Sequence, residues 1–323
     1  MESRKNLITI VLPLLDRDIY TSIWIKENIF EDFDYIIADG SKTDANKAIF
    51  ESLGSVPNIK YIRYSEDTCI LDYAKKMSDA ISQVETPYVM TCDNDDFLGY
   101  QGILDCINAL KQNENYGFAN GKVRNLVGLT KKNNPPSEYY RLRPDRVVVD
   151  NLNGMSGLLG VKNLFQPYKY VWYGVYRTEL LIKIWKEIVL SKLENVFLIE
   201  FFQGQLAFCF SKMIFINKTH YFRLTNPVFN YAKQYTPAEY PSQHGIYFDD
   251  KYRAEVIKMG EIVASILKVD LREIYSIYRT YYGNQHSYFV QTSLKRQLVN
   301  ALYSYFHTLV SLPLTIRFIR KIA

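Results

Sequence analysis

The chain has 323 residues, enough for one large domain or two. Its 48% hydrophobic and 23% charged content is that of an ordinary soluble globular protein. A net charge of +5 is too mild to be a nucleic-acid footprint by itself, and no uninterrupted apolar run is long enough to cross a bilayer. Cys69, Cys92, Cys106 and Cys209 show neither CxxC spacing nor disulfide-like density, which points to a reducing compartment. The 27 Tyr and 18 Phe suit sugar-lined clefts and interfaces, and equally fit a bias in amino-acid usage of the source genome.

Residues 7–13 form a β-rich run stopped by Pro13. The run has no small-residue cleavage site and leads at once into Asp16, Arg17 and Asp18, so it reads as a first strand and not as a signal peptide. A helical apolar pattern follows over 19–30, a second strand over 35–38, a helix over 45–53, a third strand over 59–64, a helix over 71–84 and a fourth strand over 88–92. This alternation predicts a mostly parallel sheet with helices on both faces. In such sheets ligands bind beyond the carboxyl ends of the strands, so Pro13, Asp39 and Asp93 are expected to share one crevice. Farther along, 104–110 reads as helix, and the polar stretch 131–146 as a long loop. Residues 154–160, with three glycines but no following Lys-Ser or Lys-Thr helix, read as a mobile substrate-facing loop. Helices are predicted over 178–190 and 197–210, and strand character over 212–216 and 221–224. A proline-containing polar loop after about Tyr231 then gives way to helices over 252–267 and 294–322, the last broken at Pro313.

The fourth strand ends in Asp93-Asn94-Asp95-Asp96. Like charges packed at a strand end repel, burial disfavours their ionised form, and a hard divalent cation with oxygen ligands is the usual compensation. The order Thr9-Ile10-Val11-Leu12-Pro13-Leu14, Ile36-Ile37-Ala38-Asp39-Gly40-Ser41-Lys42-Thr43-Asp44 and Met90-Thr91-Cys92-Asp93-Asn94-Asp95-Asp96 resembles the GT-A glycosyltransferases of the family 2 type. Their strands end "V-P-x-Y-N", "D-D-G-S-x-D" and "D-x-D-D". The resemblance covers roughly the first 230 residues. Leu14-Leu15-Asp16 departs from the Tyr-Asn after the first proline, Ala38 replaces the first Asp of the second motif, and "A-R-N" survives only as Ala74-Lys75-Lys76.

The resemblance implies an α/β GT-A (Rossmann-like) domain over 1–230, with a nucleotide-binding half over 1–97 and an acceptor half over 98–230. A mainly helical C-terminal extension would occupy 231–323. It further implies that Asp93 and Asp95 hold Mg²⁺ or Mn²⁺ on the donor diphosphate, with Asp93 also meeting the ribose. Asp96 would serve as a ligand, stand behind the other two or cap the next helix. Asp39 would accept hydrogen bonds from base or ribose, although Asp-Gly is also a plain turn signal. Pro13 would let the following backbone pass the base, Lys75 would reach phosphate or stand as an ordinary exposed helix lysine, and Asp44 would cap the next helix. Glu200, a lone acid in the apolar run 196–202, is the expected general base, since desolvation there raises a carboxylate pKa; Glu194 is the alternative. His220 would complete the metal shell or serve structure. Trp172 would stack on an acceptor sugar or pack in the core, and Arg177 would pair with an acidic group or phosphate.

Leu298, Leu302, Tyr305, Phe306, Leu309 and Leu312 fall on one helical face between basic ends. Such a stripe fits a membrane interface, the catalytic domain or an oligomer partner. The expected activity is inverting, metal-dependent transfer from a nucleotide sugar to a saccharide or lipid-linked acceptor, in bacterial surface-polysaccharide assembly. The setting would be cytoplasmic or peripheral on the inner membrane face. A nucleotidyltransferase, which would want a basic Gly-rich loop where Leu14-Leu15-Asp16-Arg17 stands, and a non-catalytic binding protein of the same fold are the alternatives.

Overall fold

The computed structural model describes residues 6–54, 56–128, 139–142, 150–165, 171–224, 250–281 and 314–315. Its first half is the expected alternation: β1 (Ile8–Leu14), α1 (Asp18–Asn28), β2 (Asp34–Asp39), α2 (Ala45–Ser52), β3 (Ile59–Arg63), α3 (Ile70–Ser82) and β4 (Tyr88–Thr91). β1 lies between β2 and β4, parallel to both, with β3 beyond β2. A strand enclosed on both edges and both faces has no water-facing side. This is why β1 reads Ile-Thr-Ile-Val-Leu and not as an alternation, and all its residues except Pro13 are buried. α3 instead has one apolar stripe, Ile70, Tyr73, Ala74, Met77, Ala80 and Ile81, at the helical spacing that buries one face.

The second half turns antiparallel. The short β5 (Phe97–Leu98) and α4 (Tyr100–Gln112) lead to β6 (Tyr116–Gly128). Then come β7 (Tyr139–Leu142), α5 (Gly157–Leu164), β8 (Val175–Arg177), α6 (Thr178–Ser191), α7 (Val196–Phe210), β9 (Lys212–Leu224) and α8 (Asp250–Leu267). Residues 271–281 are also helical. β8 joins the halves, antiparallel to both β4 and β6. β6 carries β8 and then β7 along one edge and the whole of β9, parallel, along the other. β9 also receives β5. α7 is apolar nearly all round and is accordingly buried, against α5, α6 and α8. Its N-terminus is capped by the Asn195 side chain, which accepts from the Phe197 and Leu198 N–H groups.

Several expectations change. Pro13 does not end the first strand. β4 pairs with β1 only as far as Val11, so at Pro13, opposite Ala38 of β2, the missing N–H removes no bond on the β4 side. The expected loop over 131–146 contains β7; its other residues lie outside the described ones. The expected mobile loop over 154–160 is half helix. α5 begins at Gly157, and a side chain at Gly160 would run into the Phe208 ring. The 13-residue β6 was not foreseen, because its Asn-Gly-Lys and Arg-Asn steps interrupt any apolar alternation. The boundary near 231 and the stripe at 298–312 lie outside the described residues. Leu314–Thr315, expected as helix, forms β10 and pairs with β7.

α4 approaches β9 closely. A Cβ on Gly99 would sit 2.5 Å from the Thr219 carbonyl oxygen, and one on Gly102 would collide with that same oxygen. Ala at position 102 would raise helix propensity by about 1 kcal/mol, yet Gly102→Ala should destabilise the protein by about 1–3 kcal/mol through overpacking. Urea unfolding measures the balance; a variant as stable as the parent would contradict the close approach.

Candidate active site

β4 hands its chain to a tight acidic turn. Cys92 is buried, with the Trp24 indole N–H donating to its sulfur, and the Asp96 N–H closes the turn on the Asp93 carbonyl. Oxygens of Asp93, Asp95 and Asp96 all lie within 4.8 Å of one another. Asp96 is buried, and both its oxygens are in use: Oδ2 accepts from the Tyr221 hydroxyl at 2.7 Å and Oδ1 from the Leu224 N–H at 2.7 Å. Asp93 Oδ2 accepts from the Tyr173 hydroxyl at 2.8 Å, and its N–H donates to Tyr221 Oη at 3.2 Å. The two tyrosine rings stack with centroids 3.9 Å apart. Burial, then the charge of Asp95, pushes the Asp93 carboxyl above the usual range. Burial and the charges of Asp95 and Asp93 push Asp96 well above it. Arg223 opposes both shifts.

Asp95 has a cation of its own. Arg17 Nη2 stands 2.6 Å from Asp95 Oδ2, with both side chains only 10% exposed. The strand order reverses between β1 and β4, so the loop leaving β1 and the turn leaving β4 open on the same crevice. Asp16 and Arg17 both take left-handed backbone angles, φ 52° and 62°. Such residues cost of order 1–3 kcal/mol each and persist where the surroundings over-determine them. Here Asp16 Oδ1 accepts from the Lys42 N–H at 3.2 Å, the Asp16 N–H donates to Ser41 Oγ at 2.7 Å, and Asn46 Nδ2 donates to the Asp16 carbonyl at 2.9 Å. The Arg17 carbonyl accepts from the N–H groups of Tyr20 and Thr21. The Arg17 guanidinium also lies over the Tyr20 ring, 4.7 Å from its centroid.

Beyond β2, Asp39 is wholly buried and engaged by protein. Ser41 donates to it through N–H and hydroxyl, Tyr61 through its hydroxyl, and Arg63 through Nη1 at 2.8 Å. Lys76 is buried in an ion pair with Asp67 and donates to the Leu14 carbonyl at 2.9 Å. That pair ties the ends of β1 and β3 together, and Gly40 is required beside it, because a Cβ there would meet the Asp67 carboxyl at 2.5 Å.

The structure thus brings Asp93, Asp95 and Asp96 together, with Pro13 and Asp39 at neighbouring strand ends. Glu200, half-buried and the only acid on α7, is near enough for its charge to raise the Tyr173 hydroxyl pKa, after burial and Asp93. Glu194 is exposed, and its N–H donates to Glu255. Asp44 stands at the N-cap position of α2; its carbonyl accepts from the Ala48 N–H, but its side chain makes no capping hydrogen bond and lies 3.6 Å from Arg63.

Four expected site residues lie elsewhere or point elsewhere. Lys75 is exposed; its neighbour Lys76 is the lysine that reaches a strand end. His220 is buried with both ring nitrogens facing backbone carbonyls, Nε2 2.9 Å from that of Tyr173 and Nδ1 3.2 Å from that of Lys122; the neutral ring, with one N–H, donates to one of them, and both nitrogens are turned to backbone. Gly121, at a register shift between β6 and β9, leaves room for its ring. Trp172 is buried edge-on against Trp185. Arg177 donates to the carbonyls of Leu110, in the last turn of α4, and of Tyr116, at the start of β6. Arg17, Tyr173, Tyr221 and Arg223 were not foreseen; the only signal was the position of Arg17 in the loop after the first strand.

Residues 14–157 match the family model for Glycosyl transferase family 2. The comparison with curated proteins found no match. Among solved structures, S. aureus TarS 1-349 superposes with a TM-score of 0.54 at 14% identity, over 92% of this chain and 79% of that one. TarS 1-349 in complex with UDP-GlcNAc gives a TM-score of 0.57 at 13% identity, over 90% and 77%. Its complex with UDP gives 0.55 at 12% identity, over the same shares. Likeness at such identities shows the fold, which is GT-A.

Two measurements test the site's framework. Tyr221→Phe removes the hydroxyl shared by Asp96 and the Asp93 N–H, and should lower stability by about 1–3 kcal/mol in urea unfolding; an unchanged midpoint would contradict the network. Burial pushes the His220 imidazole pKa down to about 4, against the pull of its two carbonyls. Its NMR ring-proton shift should therefore stay flat from pH 7.5 to pH 5, whereas an ordinary imidazole titrates near about 6.5. A midpoint near that ordinary value would contradict the assignment.

Proposed function

We propose that this chain, whose residues 14–157 carry the family 2 glycosyltransferase pattern on a GT-A fold, transfers a sugar from a nucleotide-sugar donor to a saccharide or lipid-linked acceptor with inversion. The observation that carries the reading is the group of three carboxylates at the end of β4, in the crevice where the strand order reverses. The solved neighbours complexed with UDP and UDP-GlcNAc support a uridine-type donor.

The donor set is all carboxylate oxygen, which suits Mg²⁺ or Mn²⁺. Both oxygens of Asp96 are bonded by protein, so Asp93 and Asp95 would hold the ion while Asp96 fixes the turn. A bound divalent cation would neutralise charge growing on the leaving diphosphate. Tyr173 orients Asp93 through its hydroxyl. Asp39 acts on the nucleoside side by holding Arg63 and Tyr61 in place, its own oxygens being engaged.

Glu200 is the proposed base. It takes the proton from the acceptor hydroxyl as that oxygen attacks the anomeric carbon and the nucleoside diphosphate leaves from the opposite side. Support comes from its place as the lone acid of an apolar helix and its electrostatic reach to Tyr173, which links it to Asp93. The proposed setting is the cytoplasmic face of a bacterial membrane, in surface-polysaccharide assembly. No helix among the described residues is long and apolar enough to cross a membrane.

A screen of nucleotide sugars with Mn²⁺ for thermal stabilisation should identify the donor, since a ligand that binds the folded state raises its stability. With that donor, Glu200→Gln should lower kcat by about 10²–10⁴-fold and leave donor binding intact. Transfer at the parental rate would remove Glu200 from the mechanism.

A further inference from the structure

Arg17 is more than a structural partner of Asp95. We infer that Arg17 is a resident counter-ion of the carboxylate group that turns to the donor's diphosphate when the donor binds, a role that rests on the nucleotide-sugar reading above.

The position supports this. Arg17 reaches Asp95 from the loop after β1, on the crevice side of the sheet, and is buried with it. Only part of its donor capacity is used: Nη2 bonds Asp95, while the Nε–H is buried with no hydrogen-bond partner. A guanidinium presents a planar fork, and an anion with two oxygens can engage Nε and an Nη together. The buried, unpartnered Nε–H leaves one arm of the fork open to an anionic acceptor.

Charge gives the same answer. A divalent cation on Asp95 and a guanidinium on that carboxylate repel each other, so the two compete for it. A nucleoside diphosphate resolves the conflict. Its oxygens would supply Arg17 with a new partner and so free Asp95, with Asp93, to hold the cation. The backbone need not move, because the Arg17 carbonyl is held by Tyr20, Thr21 and Asn94, and Asp16 is fixed to residues 41–46. Only the side chain has to rotate.

The test uses the full chain, with UDP as the probe in calorimetry with and without Mn²⁺, and Mn²⁺ alone followed by electron paramagnetic resonance. Arg17→Gly removes the side chain and relieves the left-handed backbone; Arg17→Lys keeps the charge without the fork. With Mn²⁺ present Arg17→Gly should bind UDP about tenfold to a hundredfold more weakly than the parent, with Arg17→Lys between them. Mn²⁺ alone should bind Arg17→Gly more tightly than the parent, because Asp95 has lost its competing cation. That gain reports the competition for Asp95 seen in the ion pair; the loss of UDP affinity is what separates an arginine that meets the diphosphate from one that only pairs with Asp95. If the parent binds UDP and both variants match it in UDP and Mn²⁺ affinity, the role of Arg17 is overturned and the donor reading stands. If the parent binds none of UDP, GDP, ADP and TDP with Mn²⁺, the donor reading fails and this inference fails with it.

Discussion

Three carboxylates crowded at the end of one strand are the constraint around which the crevice is built. Two unit charges about 4 Å apart repel by about 4 kcal/mol at an effective dielectric of about 20, and burial adds to the penalty on the ionised forms. The fold opposes this with specific groups. Tyr221 and the Leu224 N–H bond Asp96, Tyr173 bonds Asp93, Arg17 pairs with Asp95, and the charge of Arg223 acts on Asp93 and Asp96. Every one of these groups lies on an element distant in sequence from the acidic turn. The turn therefore depends on correct assembly of the whole sheet.

Topology supplies those partners. The reversal of strand order between β1 and β4 brings the β1 loop to the acidic turn and so delivers Arg17. The antiparallel addition of β8 and the pairing of β9 with β5 bring up Tyr173 and Tyr221 from the second half. Gly99, Gly102 and Gly121 permit the close approaches along β9 that this placement needs. His220 and Arg177 belong to the same framework. One sits between the backbone carbonyls of Tyr173 and Lys122, and the other bonds the last turn of α4.

The parallel half was legible in the sequence because its strands are enclosed on both faces. An unbroken run such as Ile8-Thr9-Ile10-Val11-Leu12 admits few other readings, and the stripe of α3 is equally plain. The acidic turn was legible because it closes a buried strand and comes third in order after the motifs that end at Pro13 and at Asp39-Gly40-Ser41. What could not be read was anything decided by long-range contact. β6 carries polar residues through its length and is held by neighbours on both edges. Lys75 and Lys76 are identical in composition terms, and only helix phase against the strand ends chooses Lys76. Trp172 and His220 lie beside site residues in the chain yet bury their rings in the core. Arg17 needed the sheet order before its partner could be known.

The central claim is that Asp93 and Asp95 clamp a cation onto a diphosphate. A crystal structure with Mn²⁺ and UDP, with manganese located by anomalous scattering, tests it most directly. A manganese peak is expected at a coordination distance of about 2 Å from carboxylate oxygens of Asp95 and Asp93, bridged to the diphosphate. Density for manganese and diphosphate elsewhere, with Asp95 still closed on Arg17, would contradict it.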